Sequence, residues 1–200
     1  MPIEYPIGTF GTNHSGSFGV PKLNSLIIVM GVSGSGKSLV GDHLAQRLAE
    51  ISGSAFELDY VDGDDLHPQE NVELMRAGIK LDDHTRKPWL DAICQCAESH
   101  FSKNRSLVVA CSALKKKYRQ QLRTVSGPVF FVFLNGPMEV IQKRIQARQG
   151  HYMPSSLLES QFADLEDPAG EPGLVCIDVD QSKEEVLAQA VEKVGALIQN

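Results

Sequence analysis

Cysteines, long apolar runs and positive charge are all in short supply in this sequence, and each shortage argues against a class of protein. Four cysteines in 200 residues, Cys94, Cys96, Cys111 and Cys176, make no disulfide framework of the small secreted kind. A chain of this length buries roughly 70% of its unfolded surface and folds without such staples. Cys94 and Cys96 form a C-x-C, but positions i and i+2 of a helix-like stretch point to different faces. No His/Cys pair follows at zinc-finger spacing, so they read as idle thiols. The longest uninterrupted apolar run is Val129 to Leu134, far short of the ~18 residues that span a bilayer. No apolar segment follows a basic start, and the first arginine is Arg47, so neither a signal peptide nor a transit peptide is expected. Positive charge is also in deficit: 19 Lys and Arg stand against 25 Asp and Glu, a net charge of −6. That argues against a nucleic-acid binder acting by bulk charge, while leaving room for a local basic pocket for a small anion. The expectation is a cytoplasmic protein with reduced thiols and with neither membrane nor nucleic acid as partner.

What is present is an alternation of two periodicities. Residues 1 to 23 carry Gly8, Gly11, Gly16 and Gly19 with Pro2 and Pro6 and no apolar pattern, and read as a flexible leader. From residue 24 to residue 200 a single domain is expected. Continuous apolar runs at Leu26–Met30, Leu107–Cys111 and Val129–Leu134, with weaker ones at Phe56–Val61 and Val175–Val179, suit strands buried on both faces of a parallel sheet. Between them lie helical stripes: Val40, Leu44, Leu48 and Ile51; then Trp89 or Leu90, Ile93 and Ala97; and finally Val186, Leu187, Ala190, Val191, Val194 and Ile198. The pattern predicts an α/β, three-layer, doubly wound parallel sheet, whose ligands bind beyond the carboxyl ends of the strands.

Directly after the first strand stands Gly31-Val32-Ser33-Gly34-Ser35-Gly36-Lys37-Ser38, a complete G-x-x-x-x-G-K-[ST] with a strand before it and a helix after it. The glycines let successive backbone N–H groups turn inward on phosphate oxygens, and the new helix adds its positive end. Lys37 can reach the β- and γ-phosphates and the Ser38 hydroxyl can ligate Mg²⁺. This is a nucleoside triphosphate site in a P-loop NTPase. It leaves the acceptor unnamed.

Candidates for the acceptor side follow in order. Asp62-Gly63-Asp64-Asp65 ends the second strand, with Leu66-His67-Pro68 behind it. One carboxylate there can take a hydroxyl proton and another can hold Mg²⁺, although the same residues would serve as a polar turn capping a helix that starts near His67. Arg86, just before Lys87-Pro88-Trp89-Leu90, offers a planar fork for a carboxylate, or is a surface arginine. Pro88 suits the first turn of a helix, and Trp89 reads as core rather than as a stacking platform. Cys111-Ser112-Ala113-Leu114-Lys115 follows the third core strand, with Lys115 as a substrate contact and Lys116 and Lys117 as a solvated helix face. Arg144 and Arg148 share one helical face ahead of Gly150 and His151, as arginines of a helical lid over the transferring phosphate would.

Taken together, these stretches resemble the gluconokinases, small phosphate-loop kinases related to the shikimate and nucleoside-monophosphate kinases. The resemblance rests on Met30–Ser38, Asp62-Gly63-Asp64 with Leu66-His67-Pro68, Arg86–Leu90, Cys111–Lys116, and Arg148-Gln149-Gly150-His151 with Ser160-Gln161-Phe162. It implies ATP-dependent phosphorylation of D-gluconate to 6-phospho-D-gluconate with Mg²⁺, and a homodimer. It further implies Asp62 near Mg²⁺, Asp64 near the acceptor hydroxyl and Arg86 facing the sugar-acid carboxylate. Two departures stand out: Thr85 replaces a usual aspartate before the arginine, and Asp65 stands where an apolar or aromatic residue is common. The alternatives are a kinase of the same fold for another small hydroxy acid, and a nucleotide-binding module without turnover.

Overall fold

Five apolar runs become five strands: β1 (Leu26–Met30), β2 (Leu58–Asp62), β3 (Ser106–Ala110), β4 (Val129–Asn135) and β5 (Leu174–Asp178). In the computed structural model, which describes residues 24–53, 57–147 and 155–199, they form one parallel sheet in the order β2-β3-β1-β4-β5. The helices are α1 (Lys37–Ser52), α2 (Gln69–Arg76), α3 (Asp83–Phe101), α4 (Lys116–Leu122), α5 (Met138–Ala147), α6 (Ser155–Asp164) and α7 (Lys183–Gln199), with a 3-10 turn at Gly63–Leu66. The 1–23 leader, Phe56, Arg148 and His151 lie outside the described residues.

The sheet is covered on both faces, which is why its central strand reads as uninterrupted apolar sequence. On one side Ile27 and Val29 pack with Val40 and Leu44 of α1 and with Val186, Ala190, Val194 and Ile198 of α7. On the other, Leu26, Ile28 and Met30 pack with Trp89, Leu90 and Ile93 of α3 and Leu122 of α4. The expected three-layer α/β sheet is therefore observed. Within the α1 stripe Ile51 departs from expectation: it lies in the last turn, past the sheet, and is 37% exposed. No helix among the described residues is long and apolar enough to cross a membrane.

This topology creates a crevice. The chain leaves β1 into α1 on one face and leaves the adjacent β3 into α4 on the other. The two loops part at the carboxyl edge of the sheet, at a topological switch point.

Two helix starts differ from expectation. Helix α2 begins at Gln69 rather than near His67, because Asp62 caps the 3-10 turn and Pro68 holds the residue before it, His67, extended. Helix α3 begins at Asp83, so Pro88 lies inside it and not in its first turn. The reason is local. Asp82 is a strong N-cap, accepting from Thr85 N–H at 2.8 Å and from the Thr85 hydroxyl at 2.9 Å. These bonds hold the Asp82 carboxyl below the usual carboxylate range. The unusual Thr85 is therefore half of a cap.

Candidate active site

The phosphate loop sits in the crevice. Gly34 and Gly36 have φ of 83° and 101°, a region that glycine enters without strain. A side chain at Gly34 would also come within 2.5 Å of Ile145. Helix α1 starts at Lys37 with no acidic residue of its own in its first turn, so its positive end is not offset from within the helix. Lys37 Nζ folds back to donate to Val32 O at 3.1 Å, closing the curl. Ser35 is fully buried and its hydroxyl lacks a hydrogen-bond partner among the described residues, an orphaned donor that a bound anion would satisfy.

Strand β2 delivers its carboxylates to the same place. Ser38 Oγ donates to Asp62 Oδ2 at 2.7 Å. The other Asp62 oxygen accepts from Asp64 N–H at 3.1 Å, and Tyr60 OH donates to Oδ2 at 3.2 Å. These are hard oxygen donors of the kind that Mg²⁺ takes. Asp64 shows an open surface beside them. Its carboxyl is pushed above the usual carboxylate range, chiefly by the surrounding protein, with Asp62 and Asp65 adding to the effect and Lys37 opposing it. Gly63 separates the two carboxylates, and any side chain there would collide with the Ala110 carbonyl.

The acceptor-side candidates gather across the crevice. His67 lies flat on Trp89, ring centroids 4.3 Å apart and 11° from parallel. Trp89 is thus both core and platform, and its Nε1 donates to Gly63 O at 2.6 Å. Burial, with Arg86 nearby, lowers the His67 pKa to about 4, so the ring is neutral at neutral pH. Asn71, itself buried, donates to Thr85 O at 2.8 Å and lies 3.3 Å from His67 Nδ1. Arg86 Nε donates to Leu81 O at 3.2 Å.

Arg86, Lys115 and Lys117 all lie 5.8–5.9 Å from the Tyr118 ring centre. Asp83 accepts from Lys115, Lys117 and the Tyr118 hydroxyl, and these bonds hold its carboxyl far below the ordinary range. Lys117 is therefore part of this cluster, not only of a solvated face.

The loop carrying Lys115 is held from below. Arg119 is fully buried. It donates to the carbonyls of Ala113, Leu114 and Glu166 at 2.8–3.2 Å and forms a two-pronged pair with Glu171. Ala113 sits in the left-handed region at φ 41°.

Arg144 donates to the carbonyls of Val179 and Gln181. It lines a cleft of about 270 Å³ beside the phosphate loop, together with Leu39, Lys183, Val186 and Leu187. Its expected partner Arg148 falls outside the described residues. Burial pushes the Cys111 thiol up to about 12, and no group of three metal-ligating His, Cys, Asp or Glu side chains occurs among the described residues.

With this geometry in view, similarity to known proteins becomes specific. A protein-family profile described as "AAA domain" matches residues 26–172. The thermosensitive gluconokinase of Escherichia coli strain K12 is 43% identical over 174 residues, covering 86% of this chain and 89% of its own. The gluconokinase of Gluconobacter oxydans is 38% identical, covering 82% and 88%. A crystal structure of a gluconokinase from Sinorhizobium meliloti 1021 superposes with a TM-score of 0.77 at 43% identity, over 88% of this chain and 95% of the other. The chain belongs to the gluconokinase family. A Mycobacterium tuberculosis APS kinase, 20% identical with a TM-score of 0.64, shares the fold of this family.

Two contacts of this family member escaped the sequence reading. Gln161, quoted there only as part of a motif, accepts from Ser33 N–H of the phosphate loop at 2.6 Å. Arg119 lay inside a helix with nothing local to mark it. A motif match signals the first, whereas the second is visible only once Ala113, Glu166 and Glu171 meet in space.

Proposed function

We propose that this chain transfers the γ-phosphoryl group of ATP to D-gluconate, giving 6-phospho-D-gluconate and ADP. The observation that carries the reading is the Ser38–Asp62 hydrogen bond, with Asp64 beside it. It joins the phosphate loop to a carboxylate pair at the end of β2.

On this reading the backbone of Gly31–Ser38 cradles the phosphates, and Lys37 leaves Val32 O to bridge the β- and γ-groups. Arg144 and the cleft beside it receive the nucleotide, and Arg148 meets the transferring phosphoryl. Ser38 and Asp62 would hold Mg²⁺, which when bound would neutralise charge on the transferring phosphate group. Arg86 and Lys115 bind the sugar-acid carboxylate, and neutral His67 offers a ring nitrogen to a hydroxyl. Asp64 accepts the proton of the attacking hydroxyl. Its pKa, raised chiefly by burial, makes it a stronger base than an exposed carboxylate. The bond formed is acceptor oxygen to γ-phosphorus, and the bond broken is γ-phosphorus to the ADP oxygen.

The reading includes a homodimer, carried over from the resemblance, which light scattering checks, and a cytoplasmic location, expected from the thiols and the composition. Coupled ADP-release assays over a panel of sugar acids test the reaction. Turnover confined to D-gluconate supports it, turnover with another hydroxy acid replaces the acceptor, and nucleotide binding without turnover leaves a binding module.

A further inference from the structure

Helix α6 touches both halves of the site with a single face. Gln161 Oε1 accepts from Ser33 N–H on the phosphate loop at 2.6 Å. Because a backbone N–H can only donate, the partner atom is oxygen, and the carboxamide retains two N–H donors. Asp164, three residues later, pairs with Lys80 at 2.8 Å and stands 3.6 Å from Lys115. Positions i and i+3 are neighbours on a helix surface. One rigid element thus bears a contact to the donor loop and a contact to Lys115.

The helix is seated firmly enough to transmit a displacement. Leu158 is buried, and Phe162 packs against the same core. Just past the helix end, Glu166 N–H donates to Leu114 O at 3.0 Å, and its carboxylate accepts from Lys116 N–H at 2.5 Å. The segment that fixes Lys115 is therefore tied to the segment that reaches Ser33. An anionic acceptor arriving at Lys115 competes with Asp164 for the same ammonium. A triphosphate arriving in the loop competes with Gln161 Oε1 for the same N–H. Each arrival loosens one attachment of α6, which lowers the cost of loosening the other.

We propose that Gln161 and Asp164 make α6 a strut that couples the two substrate sites, so that nucleotide in the loop tightens acceptor binding and acceptor tightens nucleotide binding. The inference rests on the reading that the sugar acid binds at Lys115. Both are positioning residues, since neither is placed on the reacting atoms.

Isothermal titration of the full chain with D-gluconate, with and without saturating Mg²⁺ and a non-hydrolysable ATP analogue, measures the coupling. The wild-type ratio of affinities is expected to be ~5-fold or more, the lower end of ordinary coupling between sites. In Gln161→Ala the ratio falls to within ~2-fold of one, and by reciprocity the ratio for nucleotide with and without gluconate falls equally. Asp164→Asn, which alters the other end of the strut, loses the same ratio, and the double variant loses no more. Circular dichroism and thermal melts check the fold of each, and Asp164→Asn decides if Gln161→Ala does not fold. A wild-type ratio of one, or a single variant that keeps the wild-type ratio whatever its nucleotide affinity, overturns the strut. Gluconate turnover by the wild type distinguishes the failures: normal turnover with a ratio of one overturns only the strut, whereas no turnover overturns the acceptor reading as well.

Discussion

The indole Nε1 of Trp89 donates to the carbonyl of Gly63 at 2.6 Å, fixing from the core the one residue that separates Asp62 from Asp64. Trp89→Phe keeps most of the apolar mass and deletes this donor. An unpaired buried carbonyl costs ~1–3 kcal/mol. Urea denaturation should show a loss in that range, together with a several-fold lower kcat as the carboxylates lose register. Unchanged kcat with lowered stability would mean that the tether serves the core alone.

Lys37→Ala is expected to abolish turnover while leaving the fold intact, because Lys37 lies at the rim of the loop, where its ammonium donates to the Val32 carbonyl. Matching circular dichroism and melting curves against the wild type check the second half of that statement. A variant that unfolds, or one that keeps near-normal turnover, counts against the assignment.

Asp64→Asn preserves size and cannot take a proton. General-base contributions are typically 10²–10⁴-fold, so kcat should fall by ~10² or more with ATP affinity almost unchanged. Asp62→Asn should differ: its defect is expected to be partly rescued by raised Mg²⁺, since its carboxylate bonds the Ser38 hydroxyl. Loss of ATP binding in Asp64→Asn would exchange the two roles.

Arg148→Ala should lower kcat much more than it weakens ATP binding, as expected of a contact made mainly in the transition state. Equal losses in nucleotide affinity and in kcat/KM would make it a ground-state contact.

The His67 pKa is lowered from 6.5 to about 4, first by burial and then by Arg86. Between those values the unfolded chain binds more protons than the folded one, so stability falls as pH drops from about 6.5 toward 4. Urea midpoints across that window should decline less steeply for His67→Gln than for the wild type. Parallel slopes would show that other groups dominate.

The fold was legible in sequence because a sheet covered on both faces writes its strands as apolar runs, and these were found within a residue or two of their ends. The phosphate loop was legible because its chemistry requires consecutive residues. The helix starts were harder. Pro88 is a helix-start signal in isolation, but the bonds between Asp82 and Thr85 set the true start five residues earlier. Contacts between distant segments left no local trace: Gln161 lies 128 positions from Ser33, and Glu171 lies 52 from Arg119.

The buried Arg119 has a consequence for how acceptor choice can change. It grips the carbonyls of Ala113 and Leu114 while Ala113 holds a backbone shape that residues other than glycine seldom adopt. A loop pinned this way resists remodelling around a larger or differently branched sugar acid. On the proposed acceptor site, new preferences should therefore arise by exchanging side chains on the fixed frame, at His67, Arg86 or Lys115. Insertions between Cys111 and Lys116 should instead cost the enzyme its fold before they change its diet.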